Sequence, residues 1–417
     1  MEIVSVADLK IGMFVADPDR PWTDLPFLLQ GVLIETQKEI ETFRQFCRFV
    51  YVDRSRSTGD QYAARVQESR QPLDCTVRPS GNGEITSRRD RLLAALDIRN
   101  EPLVKEIERA EPILSAARHN MAHAFKALQS QQLMDVPHIK EGVIEVVQSV
   151  RRHPEAAAWL TRLQKAGKYL HEHAVDVSLH MIMIGSHLGW TNDRLEVLGL
   201  AGMLQDVGKI SMPPEILERP GPLSSQEKSV MYAHVVNSFK ILMEHQNDLP
   251  KDVIATVIRH HERLDGSGYP KGLAGSAIGI YGEMAGLTDV YCAMTKNKPY
   301  RAGIAHQQAL EQIYATRDRY FSALLVEHFV QCVGLYPIGT LVELNTGEVG
   351  VVVEQNRAQR IKPRILLLLD ESKKSLRDPA VIDLKNDPVA ENGTPYRIAR
   401  GLPRDAYGIN PADFFLV

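Results

Sequence analysis

Cysteine is scarce in this chain: four among 417 residues, Cys47, Cys75, Cys292 and Cys332, with no Cys-x-x-Cys spacing. That removes the usual thiol metal and redox motifs and leaves the cysteines to be read as reduced thiols of a cytoplasmic protein. A surplus of one charge is also missing. Lysine and arginine number 49 against 52 acidic residues, for a net charge of -3, so nothing points to DNA or RNA as a partner. No apolar run approaches the roughly 18 residues of a membrane span; Ile365 to Leu369 is far too short. The start, Met1-Glu2-Ile3-Val4, has neither the basic nor the apolar region of a signal peptide. No internal repeat of fixed period is visible.

What is present is ample apolar material, 44% of the chain, enough for a sizeable core and two or three domains. Residues 1–56 read as a small α+β domain, with β-rich runs at Ile3–Val6, Met13–Val15, Phe27–Ile34 and Phe49–Val52 and a helical pattern between the last two. Residues 57–83, poor in apolar side chains, read as a linker. Residues 84–335 read as helical, with Pro102, Pro112, Pro137 and Pro154 expected to divide the first part. His119 and His123 share a face there and are expected to be solvated. Residues 336–417 turn β-rich, with strands expected at Thr340–Leu344, Val349–Val353 and Arg364–Leu369 and a hairpin turn at Asn345–Glu348.

The chemistry concentrates between Ala201 and Arg301. Gln205-Asp206-x-Gly208-Lys209 is followed by His234, then His260-His261-Glu262, then Asp265-Gly266-Ser267-Gly268-Tyr269-Pro270, then Asp289. Imidazole and carboxylate together suit first-row divalent metals. The run from Leu195 to Val207 is apolar nearly all round, the mark of a buried helix, and a charged Asp206 there needs compensation. Lys209 shares its face and would supply an ion pair. Upstream, Lys168 to Trp190 reads as one helix. Its His173, His180 and His187 lie roughly 10 Å apart in succession, too far to ligate one ion together. Gly266 and Gly268 permit positive φ and close backbone approach, and Pro270 stiffens the exit.

This order of residues resembles the HD-GYP family, a branch of the HD metal-dependent phosphohydrolases that act on cyclic di-GMP in bacterial second-messenger signalling. The resemblance runs from Tyr169 to Val333 and implies a mostly α fold: an all-helical HD-type metal-binding bundle, its core at 169–333, with a small α+β N-terminal domain and a short β C-terminal extension. It implies two divalent ions, iron or manganese before zinc, held by His173, Gln205, Asp206, His234, His260, His261 and Asp289. Asp206 would bridge the ions, and Lys209 would reach the substrate phosphate as the second catalytic residue. Asp265, Gly266, Gly268, Tyr269 and Pro270 would contact substrate, Tyr269 by stacking on a guanine or through its hydroxyl, and Arg301 would hold phosphate oxygens. The same loop would meet diguanylate-cyclase-type partners, and a homodimer is compatible with the family.

Three departures stand out. Gln205 replaces the histidine of the His-Asp pair that names the family. Tyr169 stands where some members carry a glutamate for a third metal, so two metals is the upper bound. Cys292 follows Tyr291 where the family usually has aspartate. Two readings therefore compete: a cyclic di-GMP phosphodiesterase, with activity reduced by Gln205, and a degenerate module that binds the nucleotide or a partner. A nucleotide triphosphohydrolase of the wider HD group fits less well with the Gly-Tyr-Pro loop.

Overall fold

The computed structural model describes residues 2–19, 32–34, 36–52, 57, 101–162, 169–217, 219, 221–296, 303–356, 359, 361–376, 379–390 and 392–409. The expected linker beyond Ser57, residues 27–31 of the expected strand Phe27–Ile34, the segment Lys298 to Arg301 and the apolar ending Phe414 to Val417 lie outside the described residues.

The N-terminal unit is an antiparallel sheet with one helix. Its elements are β1 (Glu2–Ser5), β2 (Phe14–Pro18), β3 (Val32–Leu33), α1 (Gln37–Phe46) and β4 (Phe49–Val52), with strand order β1-β4-β2-β3. Thr36 opens α1 through a capping box: Glu39 N–H donates to its hydroxyl, and its own N–H donates to the Glu39 carboxylate at 2.8 Å. Ile40 and Phe43 then face the sheet, where they pack with Val15, Val50 and Val52.

Eleven helices follow among the described residues: α2 (Glu101–Gln129), α3 (Val136–Arg152), α4 (Pro154–Arg162), α5 (Tyr169–His187), α6 (Asn192–Leu204), α7 (Pro214–Leu217), α8 (Ser225–Glu244), α9 (Lys251–Val257), α10 (Gly279–Thr295), α11 (His306–Ala315) and α12 (Ala323–Val333). Pro137 and Pro154 do stand at helix starts. Pro112 does not divide the chain as expected; it lies inside α2. An interior proline costs about 3 kcal/mol. Around it Leu114, Met121 and Phe125 are each fully buried, and such burial is worth about 1.5–3 kcal/mol per side chain, so packing outweighs the break.

From Leu198 on, helix α6 is buried all round, as its composition implies, with Leu195, Leu198, Leu200, Met203 and Leu204 in one core with α5 and α10. It ends at Leu204. Gln205 and Asp206 leave it, and a 3-10 turn from Val207 to Ser211 follows.

The last unit is a five-stranded antiparallel sheet, β5 (Leu341–Leu344), β6 (Val349–Glu354), β7 (Arg364–Leu369), β8 (Val381–Asp383) and β9 (Ile398–Gly401), ordered β8-β7-β6-β5-β9. The β5–β6 hairpin turns at Asn345–Glu348, with Gly347 at φ 101° donating its N–H to Leu344 O. The two strands without a sequence signal, β8 and β9, are short and close the sheet's edges. Among the described residues no helix is long and apolar enough to cross a membrane.

Candidate metal centre

Five pieces of chain converge below the buried α6. Helix α5 brings His173, the exit of α6 brings Gln205 and Asp206, α8 brings His234, and α10 brings Asp289. His260 and His261, which the order of residues would place on a further helix, come from the turn after α9. The Arg263 guanidinium holds that turn by donating to the carbonyls of His260 (3.1 Å) and Glu262 (2.8 Å).

The α6 exit is buckled to α8. Gly208 N–H donates to Ser238 Oγ at 2.9 Å, and Ser238 Oγ donates to the Gln205 carbonyl at 2.8 Å. A side chain at 208 would run into the His234 carbonyl and the Ser238 nitrogen, so only glycine lets the two backbones approach this closely. Ser238 lies one helical turn beyond His234, a spacing that sequence reading passed over.

Two groups of potential ligands result, each with its atoms within 4.8 Å of one another: His234, His260 and His261; and His173, Asp206 and Asp289. Asp206 joins them. Its Oδ1 is 3.4 Å from His234 Nε2 and 3.9 Å from His260 Nε2, and its Oδ2 is 3.7 Å from His173 Nε2. His173 Nε2 also lies 2.8 Å from Asp289 Oδ1. Lys209 Nζ donates to Asp206 Oδ2 at 2.6 Å, so the ion pair that the i, i+3 spacing allows is formed. Gln205 donates its side-chain nitrogen to Asp289 Oδ1 at 3.1 Å.

The proton positions decide what this arrangement can bind. His234 Nδ1 faces the Met231 carbonyl and His260 Nδ1 faces the Val257 carbonyl, each at 2.6 Å. A carbonyl only accepts, so both Nδ1 atoms carry the hydrogen. Burial lowers the pKa of His234 to about 4, against the pull of Asp206, and lowers that of His260 and, further, His261. Neutral rings then present two Nε2 lone pairs to each other at 3.4 Å. Such a pair repels unless a cation stands between its members. Nitrogens on one ion at about 2.0–2.1 Å can be at most about 4.2 Å apart, which this pair satisfies.

The carboxylates agree with that reading. Burial opposes ionisation of Asp206 and Asp289, but the Lys209 ammonium at the first and the hydrogen bond with His173 at the second hold both below the usual carboxylate range. Among the described residues, Asp206 Oδ1 and Gln205 Oε1 are buried without a hydrogen-bond partner. Buried polar oxygens are rarely left so. The donor set of imidazole nitrogens and carboxylate oxygens fits a divalent metal.

The glycine-tyrosine-proline loop packs beside the three histidines. Glu262, buried, accepts the N–H of Lys271 and of Leu273, each at 2.8 Å, and so anchors the loop from beneath. That role left no signal beyond its place in the motif. Gly266 has φ 75°, and a side chain at Gly268 would strike the His261 carbonyl. The Tyr269–Pro270 peptide is cis. Asp265 is engaged within the turn: Oδ1 accepts Ser267 N–H (3.0 Å) and Oγ–H (2.5 Å), and Oδ2 meets Arg319 Nε at 3.3 Å. The Tyr269 ring lies between His261 and Tyr232, and burial raises its phenol pKa. Arg301 lies outside the described residues.

The remaining histidines fall elsewhere. His119 and His123 are exposed, as expected. His180 is buried against Tyr291 and Cys292, with Cys292 Sγ 3.6 Å from its Nδ1, and His187 stacks edge-on with His328.

Three families match this chain: "HD domain" over residues 155–324, "Domain of unknown function (DUF3391)" over 3–139, and "KOW domain associated with HD domain" over 341–390. The cyclic di-GMP phosphodiesterase PA4108 of Pseudomonas aeruginosa is 30% identical over 383 residues, 91% of this chain and 88% of its own. The cyclic di-GMP phosphodiesterase response regulator RpfG of Xanthomonas campestris is 34% identical over 35% of this chain and 38% of its own. The 3'3'-cGAMP-specific phosphodiesterase 2 of Vibrio cholerae is 34% identical over 37% of this chain and 30% of its own.

Proposed function

The chain belongs to the HD-GYP branch of the HD-domain proteins, and on that premise we propose that it is a metal-dependent phosphodiesterase hydrolysing cyclic di-GMP. The observation that carries the proposal is the pair of imidazole nitrogens facing each other at 3.4 Å beside the joining carboxylate of Asp206. His234, His260 and His261 would hold one ion and His173 and Asp289 the other, with Asp206 shared. Two divalent ions, when bound, polarise water and phosphate oxygens for an in-line displacement. Nitrogen and carboxylate donors suit iron or manganese, and a Gln205 amide oxygen would favour manganese.

The protein's own groups do the rest. Lys209, its side chain 15% exposed, keeps an ammonium at the rim of the buried carboxylates, where it would stabilise negative charge gathering on the phosphate oxygens. The Nδ1–H donations of His234 and His260 fix each ring with Nε2 toward the centre. Glu262 and the glycine turn hold the loop over His261. In that hydrolysis water adds its oxygen to phosphorus, one P–O ester bond breaks, and the departing sugar oxygen takes the proton that the water loses; the first cut would open the ring to the linear dinucleotide. The exposed Ser267 and Pro270 leave the tip of the loop accessible to a signalling partner.

One observation favours the second reading, a module that binds without turnover: Gln205 turns its nitrogen to Asp289 rather than offering a ring nitrogen. The deciding experiment is elemental analysis of anaerobically purified protein beside a cyclic di-GMP hydrolysis assay with added Mn²⁺ or Fe²⁺. Metal with turnover is the expected result. Metal with bound nucleotide and no turnover would retire the enzyme.

A further inference from the structure

Tyr269 has no open face for a base. Its ring is stacked against His261 on one side (centroids 4.6 Å apart, planes at 27°) and against Tyr232 on the other (3.8 Å, 16°). The result is a column of three stacked rings whose inner end is a member of the three-histidine group. The outer end is Tyr232, on α8 two residues before His234 and still 41% exposed. His234 meets the inner two rings edge-on, at 5.1 Å from His261 and 6.4 Å from Tyr269, so the column is braced from the side. An isolated exposed aromatic needs no explanation. A ring held flat on an ordered neighbour, on the axis of stacking and beside a phosphodiester site, is a preformed surface for another flat ring. Its geometry is already fixed before anything arrives, which lowers the cost of ordering.

We propose that Tyr232 is the platform on which one purine of the cyclic dinucleotide stacks, with Tyr269 as the fixed support beneath it. The inference rests on the cyclic di-GMP reading and gives it a residue for base recognition. With the phosphodiester at the metal groups and Lys209, a base must leave the centre sideways, and the ring column leads outward from His261 through Tyr269 to the exposed Tyr232. Every base has a π-face, so stacking is tolerant of base identity. Tyr232 therefore contributes affinity for purine dinucleotides as a class and does not distinguish cyclic di-GMP from 3'3'-cGAMP.

The test is a substitution series read with two substrates. Tyr232→Ala should raise KM for cyclic di-GMP, or Kd by calorimetry where turnover is slow, about tenfold, within the usual range for one base–aromatic stack. kcat should change less than KM. Tyr232→Phe and Tyr232→Trp should stay within about twofold of the parent, and Tyr232→Leu, which has bulk but no π-face, should resemble Ala. The second substrate is methyl p-nitrophenyl phosphate, a phosphodiester without a base. The loss on cyclic di-GMP should exceed the loss on this compound by about fivefold or more. Equal losses on both would make Tyr232 a prop for the loop and overturn the platform, as would an unchanged KM or Kd in Tyr232→Ala. A parent protein that cleaves the simple diester yet neither binds nor cleaves cyclic di-GMP defeats the underlying reading and the platform with it. A parent that binds cyclic di-GMP, with Tyr232→Ala binding it equally, defeats the platform alone.

Discussion

Helix α5 meets buried acid on two faces, its own on one and that of its neighbours on the other, and the two are balanced by different means. On one face Glu172 and Asp176, a helical turn apart, share Lys296 from the end of α10; its Nζ stands 3.2 Å from Glu172 Oε2 and 2.9 Å from Asp176 Oδ2. On the other face His173 meets Asp206 and Asp289, and there, among the described residues, only Asp206 has a lysine in direct contact, Lys209. Beyond it stand imidazoles that burial keeps neutral. The first cluster joins carboxylates to an ammonium, and its charge is largely answered within the protein. The second joins two depressed carboxylates to uncharged nitrogen donors, an arrangement that gains from an added cation. Buried charge alone does not mark a site; buried charge facing neutral donors does.

The comparison breaks most visibly at Lys296. Lys296→Met should remove the ammonium from two buried carboxylates and cost about 3–5 kcal/mol of stability, read as a fall in Tm, while metal per chain stays at the parent ratio. Loss of metal together with stability would mean the two faces of α5 are one site. Asp206→Ala probes the other face. Removing the shared carboxylate should lower metal affinity by at least about a hundredfold, since even an outer hydrogen-bond partner of a ligand is worth about 10–100-fold. Metal retained at the parent ratio in elemental analysis would sink the assignment.

Protonation offers a third contrast. The His234 pKa falls from 6.5 to about 4 in the folded protein, so between those values the unfolded chain binds more protons than the folded one. Stability of chelator-treated protein should be full above pH 6.5 and decline as pH drops toward 4, by up to about 1.4 kcal/mol per unit for one such group. His260 and His261 shift in the same direction and would steepen the decline. The Asp176 pair acts differently: burial raises the Asp176 pKa, but Lys296 and the further charge around it together lower it on balance, so its contribution is lost only below the ordinary carboxylate value of 3.8. Urea melts across this range that show no slope above pH 4 would contradict the neutral-histidine picture.

The smallest effect concerns Gln205. Gln205→His should add a nitrogen donor, raising Mn²⁺ or Fe²⁺ occupancy and hydrolysis about tenfold, equivalent to about 1.4 kcal/mol. An active parent that loses rate on this change would show that the amide, held on Asp289, belongs to a working centre of different geometry.

Much of this molecule could be read from residue order. The all-apolar run before Gln205 foretold a buried helix because no face of it could tolerate water, and the alternating runs around Asn345–Glu348 foretold a hairpin. The donor types followed from side-chain chemistry, since imidazole and carboxylate in one stretch imply a divalent ion whatever the fold. Other features were not legible. Helical continuity through Pro112 depends on what α2 packs against, which local propensity does not contain. Glu262 gave no hint that it accepts backbone N–H groups nine and eleven residues away.

What the sequence determined by itself was therefore the inventory: which donors exist, on which kinds of segment, and where the backbone must bend. Tertiary structure decided which atoms meet. The Nε2 atoms of His234 and His260 face each other because each Nδ1 is held by the carbonyl three residues earlier and the two segments then pack together. Tyr232 stacks on Tyr269, 37 residues distant, because the loop anchored by Glu262 folds back across α8. Periodicity places a side chain on a face, but its partner across that face is chosen only when separate segments are brought into contact.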